Sequence, residues 1–260
     1  MTKPRILLWD LETGFNLVTV FSLWTGDRGI SHDAIQQEKY IISASFKWLG
    51  EKEITAISLI DFKATWDKDP TDDRLLVKAI REKLLEADVI VHHYGDSFDI
   101  KSFNSRCVFH GFKPVNPLIQ IDTYKIAKKH FFFNSNKLDY LGKFLGFGGK
   151  IKTRAGLWLD CMKGDEDAIT DMVRYNKQDV RLLEQVYLKL RPYTVAKANM
   201  GLFVEDQSEL VCPTCGSSHI HQRGYRYTST GRQLRFQCQE DGCGAWSHAR
   251  VSDKIKPKLK

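Results

Sequence analysis

Three short stretches of this 260-residue chain carry acids whose order and spacing could support metal chemistry. Asp10 and Glu12 close the run Ile6-Leu7-Leu8-Trp9-Asp10-Leu11-Glu12, which is apolar before it becomes charged. Alternation along a strand puts residues i and i+2 on one face, so both carboxylates can point the same way. Asp99 follows a second apolar run, Val89-Ile90-Val91-His92, after a short loop containing Gly95. Tyr175 and Asp179 stand four apart in a helical pattern, which puts them one turn apart on one face. Taken singly, each acid reads as a turn, a cap or a solvated surface group. Converging carboxylates are different, because they repel one another and are costly unless cations neutralise them. Hard oxygen donors suit Mg2+ or Mn2+, and two such ions about 3.5–4 Å apart can clamp an in-line phosphoryl displacement.

A second constellation lies near the C-terminus, where Cys212-x2-Cys215 and Cys238-x4-Cys243 are separated by 22 residues. Two close pairs can each form a knuckle, and four thiolates complete a tetrahedral Zn2+ shell. A segment of about 40 residues has too little core to fold readily alone, so a structural metal makes energetic sense. Six cysteines in the whole chain are too few for a disulfide scaffold. Cys107 and Cys161 read as small buried hydrophobes. His219, His221 and His248 are possible substitute ligands with no necessary role. The Cys-Pro-Thr-Cys-Gly opening and the Cys-Gly-Ala-Trp-Ser close resemble zinc ribbons.

The elements that must position these residues follow from periodicity. Residues 5–10, 16–24, 40–48, 53–60 and 88–92 are apolar or rich in β-branched and aromatic types and predict strands, with a polar excursion over 25–39. Helical spacing begins after Thr71-Asp72-Asp73, a candidate cap, with Leu75, Leu76, Ala79, Ile80, Leu84 and Leu85. Further helices are expected near 98–110, 123–130, 137–145 and 165–189. The fold class expected is therefore α/β, a mixed sheet flanked by helices, with a small C-terminal zinc ribbon. The domain boundaries expected are 1–192 for the α/β body, 193–209 for a linker, 210–250 for the ribbon and 251–260 for a basic tail.

The three acidic motifs resemble those of the DEDD superfamily of 3′→5′ exonucleases, whose fold is RNase H-like. Asp10-Leu11-Glu12-Thr13 matches its first motif, His93-Tyr94-Gly95-Asp96-Ser97-Phe98-Asp99 its second, and Tyr175-x3-Asp179 its third. Arg174 stands where one branch carries histidine, so the tyrosine (DEDDy, DnaQ-like) branch is the match. The resemblance extends over about residues 5–190 and includes Ile121-Asp122-Thr123 and Lys137 to Gly142. It implies that Asp10, Glu12, Asp99 and Asp179 hold two Mg2+ or Mn2+ ions, that Tyr175 orients the attacking water, and that nucleoside 5′-monophosphates are released. It also implies substrate contacts at Thr13, Phe15, Tyr94 and Phe98. Many relatives have Asn where Tyr94 stands; a tyrosine there either stacks on a base or packs. Phe15 is either a wedge against the terminal base or a core residue.

The chain carries a net charge of +7, with 42% hydrophobic and 27% charged residues, which is ordinary for a soluble globular protein. Residues 191–260 hold 11 Lys/Arg against 6 Asp/Glu, and a basic C-terminal part favours a polyanionic partner. Arg223, Arg226 and Arg235 interleave with aromatics in the ribbon, a composition suited to nucleic acid, although a soluble hairpin would look similar. Lys143, Lys150, Lys152 and Arg154 either track phosphates or form a solvated loop. The expected partner is DNA, single-stranded by preference, with a replication or repair protein as a further candidate. An exoribonuclease or structure-selective endonuclease on the same metals, and an inactive zinc-dependent nucleic-acid-binding protein, are the rival readings. No apolar run approaches the roughly 18 residues of a membrane span, and the N-terminal run is too short for a signal peptide. The expected location is thus intracellular, in a bacterium or a virus-infected cell, rather than secreted or membrane-bound.

Overall fold

A computed structural model describes residues 4–22, 24, 29–116, 119–194, 198–204, 210–229, 231–249 and the backbone of 253–254. The elements run β1 (Ile6–Thr13), β2 (Leu17–Val18), β3 (Ile35–Gln37), β4 (Ile41–Trp48), β5 (Thr55–Ser58), α1 (Lys63–Trp66), α2 (Arg74–Leu85) and β6 (Val89–His92). They continue α3 (Asp99–Phe109), β7 (Ile119–Asp122), α4 (Thr123–His130), α5 (Leu138–Phe144), α6 (Leu157–Met162) and α7 (Glu166–Leu190). The C-terminal part adds β8 (Ile220–Tyr227), β9 (Gly231–Cys238), β10 (Trp246–His248) and β11 (Asp253–Lys254). The main sheet is ordered β5-β4-β1-β6-β7. Its first two junctions are antiparallel and its last two parallel.

The central strand β1 sorts its side chains by parity. Leu7, Trp9 and Leu11 enter one core with Leu76, Val77 and Ile80 of α2 and Phe103 of α3. Ile6 and Leu8 enter another, against Val89 and Val91 of β6 and Val180, Leu183 and Val186 of α7. Asp10 and Glu12 continue the second series, so the alternation that buries β1 also turns both acids towards α7. The pairing of β1 with β4 shifts register between Glu12 and Thr13, and the regular alternation ends there.

Several expectations needed correction. The stretch 16–24 forms only the two-residue β2, and Val20, Phe21 and Trp24 are exposed. Strand-favouring residues stabilise a strand when they pack on neighbours, and among the described residues β3 alone pairs with them. The run 53–60 is cut to β5 and then tightens into a 3-10 turn over Leu59–Phe62. Strand β7 and helices α1 and α6 are too short to have announced themselves by periodicity. Asp73 occupies the N-cap position of α2 but makes no side-chain cap. Its fully buried carboxylate instead accepts from Ile41 N at 2.8 Å and from Arg106 Nε and Nη2 at 2.8 and 2.6 Å, and lies 2.5 Å from His110 Nε2.

Of the segment expected as a linker, Ala198 and Met200 are buried in the core shared with α7, and Val204 is also buried. Residues 195–197 and 205–209 lie outside the described residues, as do 250–252 and 255–260 of the expected basic tail. Among the described residues no helix is long and apolar enough to cross a membrane.

Removing one partner of a buried, hydrogen-bonded charge pair strands the other. Asp73→Ala, which orphans both the Arg106 guanidinium and Ile41 N–H, is expected to lower stability by about 3–5 kcal/mol. The check is a urea titration, in which the midpoint should fall while the slope is unchanged.

Candidate metal centres

Parity on β1 and the i, i+4 rule on α7 bring Asp10, Glu12 and Asp179 together. One carboxylate oxygen from each lies within 4.8 Å of the others. Asp99, the first residue of α3, lies beside them and accepts from Leu11 N–H at 3.2 Å, which ties it to β1 between the two acids. It is not within the tight threefold cluster. Tyr175 is one turn before Asp179 on α7, and its hydroxyl accepts from Lys150 Nζ at 3.1 Å. The same ammonium donates to Asp179 Oδ2. Asn176, absent from the sequence expectations, is fully buried and donates from Nδ2 to Asp10 Oδ2 at 2.6 Å.

Burial dominates the electrostatics. It pushes Asp10 well above the usual carboxylate range, reinforced by Asp99, Asp179 and Glu12. Glu12 is raised to about 8 by burial and then by Asp179, and Asp99 to about 7 by burial. Asp179 is raised by burial as well, with Lys150 opposing. The Tyr175 hydroxyl is pushed up to about 12 by burial and the Asp179 charge, so it is a proton donor at neutral pH. Lys150 is held charged: burial opposes the ammonium, but Asp179 and Asp10 more than offset it. Four carboxylates therefore face one ammonium, and Asp179 Oδ1 is buried with no hydrogen-bond partner. A hard, oxygen-only donor set whose acids resist ionising without a counter-cation, and which includes an orphaned oxygen, fits Mg2+ or Mn2+.

The second-motif loop is built to deliver Asp99. Asp122, at the end of β7, accepts through Oδ1 from Tyr94 N and Tyr124 N, both at 2.9 Å. Among the described residues Tyr94 is the one non-glycine with positive φ, at 67°. Next to it, Gly95 N donates to Nδ1 of the buried His92 at 3.1 Å, and a Cβ on Gly95 would stand 2.5 Å from that ring. His92, Asp96 and Asp122 also bring ligand-type atoms within 4.8 Å of one another. The bond from Gly95, however, occupies the Nδ1 lone pair and leaves the neutral ring's proton on Nε2, so this cluster is a clamp on the loop rather than a ready cation site.

The other expected substrate contacts scatter around this centre. Thr13 is buried, while Phe15 and Phe98 are both substantially exposed. Phe15 stacks on Trp158 at 6.4 Å, and Trp158 meets Tyr175 edge-on at 5.8 Å. The half-exposed Tyr94 packs edge-on against Tyr124 at 4.8 Å, and Lys39 Nζ stands 5.6 Å from the Phe98 ring. Of the basic residues read as either tracking phosphates or forming a solvated loop, Lys143 pairs with Asp139 and Arg154 with Asp160. Lys150 is instead inside the acidic centre.

The four ribbon cysteines also converge. Cys212 and Cys243 Sγ are 3.8 Å apart, and Cys215 and Cys238 Sγ 3.6 Å. Those spacings are too long for a disulfide and match the edge of a tetrahedron with Zn–S bonds of about 2.3 Å, which is about 3.8 Å. None of the three ribbon histidines belongs to this group.

Residues 33–191 match the family described as the RNase_H superfamily. The chain belongs to that superfamily. The matched region begins after Asp10 and Glu12 and takes in Asp99, Tyr175 and Asp179. No curated protein matches the chain. Among solved structures it is similar to the family B DNA polymerase from the hyperthermophilic archaeon Pyrobaculum calidifontis, with a TM-score of 0.54 and 16% identity. The match covers 74% of this chain and 25% of the polymerase chain, so it spans only a portion of that protein. At this identity the likeness shows the RNase H-like fold alone.

Two outcomes test the geometry. Gly95→Ala forces a methyl into the His92 ring and is expected to cost about 1–3 kcal/mol, read as a lower thermal midpoint. Elemental analysis should find one zinc per chain, and none in Cys238→Ser; chelation should melt the ribbon's near-ultraviolet signal.

Proposed function

We propose that this chain is a metal-dependent 3′→5′ exonuclease that hydrolyses phosphodiester bonds of DNA, single strands by preference, and releases nucleoside 5′-monophosphates. Its catalytic domain would be residues 1–192 and its zinc ribbon residues 210–250. The observation that carries this reading is the convergence of Asp10, Glu12 and Asp179, with Tyr175 one turn away, on an RNase H-like sheet. The 3′→5′ direction and the DNA preference rest on the likeness of the three motifs to those of DEDDy exonucleases.

Asp10, Glu12, Asp99 and Asp179 would hold two Mg2+ or Mn2+ ions, which when bound make a water acidic and stabilise the departing 3′-oxygen. Around them the chain's own groups divide the work. Asn176 fixes Asp10 Oδ2, and the Leu11 amide fixes Asp99 Oδ1, so that each acid is left one oxygen free of those bonds. Tyr175 keeps its proton at neutral pH and orients the attacking water through its hydroxyl, rather than deprotonating it. Lys150, donating to both Tyr175 and Asp179, sets the direction of that hydroxyl. Trp158 supports the Tyr175 ring from one side and the exposed Phe15 from the other, linking the reacting centre to an apolar surface fit for a terminal base.

The test is digestion of 5′-labelled single-stranded DNA, duplex DNA and RNA with Mg2+ or Mn2+. The expected result is a ladder that shortens from the 3′ end, abolished in Asp10→Ala and Asp179→Ala. Tyr175→Phe should retain metal-dependent cleavage but slow it by about 10²-fold or more. Internal fragments in place of a ladder would assign the centre to an endonuclease, and no cleavage by folded, metal-supplied protein would overturn the reading.

A further inference from the structure

The zinc ribbon has one face that neither the cysteine core nor the acidic centre uses. In an antiparallel sheet, directly opposed residues share a face. Opposed pairs are Trp246 with Gln237, His248 with Arg235, His221 with Gln237, and Arg226 with Gln233. Arg226, Arg235, Trp246, His248 and His221 therefore stand on one side of the ribbon, while Phe236 and Cys238 are buried on the other.

Side-chain contacts join four of these residues into two pairs, and the register sets Arg235 of one opposite His248 of the other. The Arg235 guanidinium lies over the Trp246 ring at 4.8 Å, and Arg226 Nη1 is 2.7 Å from His248 Nε2. Arg235 is held from below as well, its Nε donating to the Arg223 carbonyl at 3.0 Å. Arg223 itself falls in the irregular stretch between Gln222 and Tyr225, so it contributes main chain to this face.

Two features identify what such a face takes. Strands β8, β9 and β10 contain four arginines and no carboxylate. Neither Arg226 nor Arg235 meets an acid among the described residues; their contacts are a histidine ring, an indole and a carbonyl. The positive charge is thus left for an external anion. Trp246 is the second feature: the residue is 50% exposed on this polar face and stands outside the cysteine core. A half-exposed indole carrying the Arg235 guanidinium, with Arg226 on the same face, matches an alternation of base and phosphate, and stacking on it requires a base that is not already paired.

We propose that the Arg226–His248–Arg235–Trp246 face of the ribbon binds an unpaired nucleic-acid strand, Trp246 stacking on a base and the two arginines contacting phosphates. This deepens the nuclease reading and rests on it only for the choice of ligand, since the face is separate from the acidic centre.

Binding is measured by fluorescence anisotropy with a labelled 20-nucleotide oligothymidylate, using the full chain carrying Asp10→Ala so that the probe stays intact. Trp246→Ala in that background should weaken binding about tenfold. Arg226→Ala with Arg235→Ala should lower the slope of log affinity against log salt by about 1.4, at about 0.7 per lost phosphate contact on a single strand. Zinc content is measured in each variant, so that loss of binding counts only where the ribbon still holds its metal. Trp246→Phe, which keeps a stacking surface, should recover most of the affinity. Wild-type affinity in zinc-replete Trp246→Ala, or equal competition by a blunt duplex, would overturn the proposal. Turnover by the unmutated chain is scored separately: binding at the ribbon without any cleavage would sink the nuclease reading alone, and cleavage with an indifferent ribbon would sink this one alone.

Discussion

Everything around the acidic centre follows from keeping mutually repelling carboxylates out of water. Burial raises all four acids, and among the described residues the one cation placed with them is Lys150. Such an arrangement holds only if the backbone leaves the side chains no escape. β1 does this by having its hydrophobic residues sunk in both cores, which fixes the parity of Asp10 and Glu12. α7 does it by running 25 residues through both cores, which fixes the rotation of Tyr175, Asn176 and Asp179. Asn176 at Asp10 and the Leu11 amide at Asp99 then set individual oxygens. The large apolar core is, in this sense, the frame that makes an electrostatically unfavourable site tolerable.

The second motif solves a different problem. Asp99 must arrive at the start of α3 immediately after the buried strand β6, and the chain reverses in a few residues to bring it there. His92 and Asp122 bind the backbone of that reversal from below, Gly95 makes room for the His92 ring, and Tyr94 takes a left-handed conformation. Asparagine is among the few non-glycine residues that favour this region. An asparagine at this position would meet the backbone requirement with less strain, independent of any contact with nucleotide. In this chain a tyrosine accepts the strain, and its ring gains an edge-on contact with Tyr124.

Much of this was legible in the residues. Asp10-x-Glu12 announced a shared face because alternation is a property of any strand, and Tyr175-x3-Asp179 announced one because 3.6-residue periodicity is a property of any helix. The cysteine spacing likewise implied convergence, since each pair is locally constrained. What could not be read were partners far apart in the chain. Asn176 looked like any helix polar residue until packing put it 2.6 Å from Asp10. Lys150 was one cation in a basic loop, with no local signal that it enters the acidic centre. Asp73 shows the same limit: it stands at the N-cap of α2 as the Thr71-Asp72-Asp73 pattern suggests, and Asp72 accepts from Arg74 N, but the Asp73 carboxylate is taken by partners from β4 and α3. The stretch 16–24 failed in the opposite direction, because strand propensity without a packing surface does not make a strand.

The stretch after α7 has a consequence of its own. Ala198 and Met200 are packed in the core that holds the end of α7. Arg191 Nε donates to the Gly242 carbonyl at 3.1 Å, and Met200 N to the Pro213 carbonyl at 2.9 Å. Through these described residues the cysteine-bearing part is thus bonded directly to the body. For a floppy connection, the local concentration of one module near another falls as the tether lengthens. Bonds between the two parts replace that statistical average with direct contact. Lengthening the chain between the two parts would then leave those bonds available, whereas in a tethered protein it would dilute one module with respect to the other.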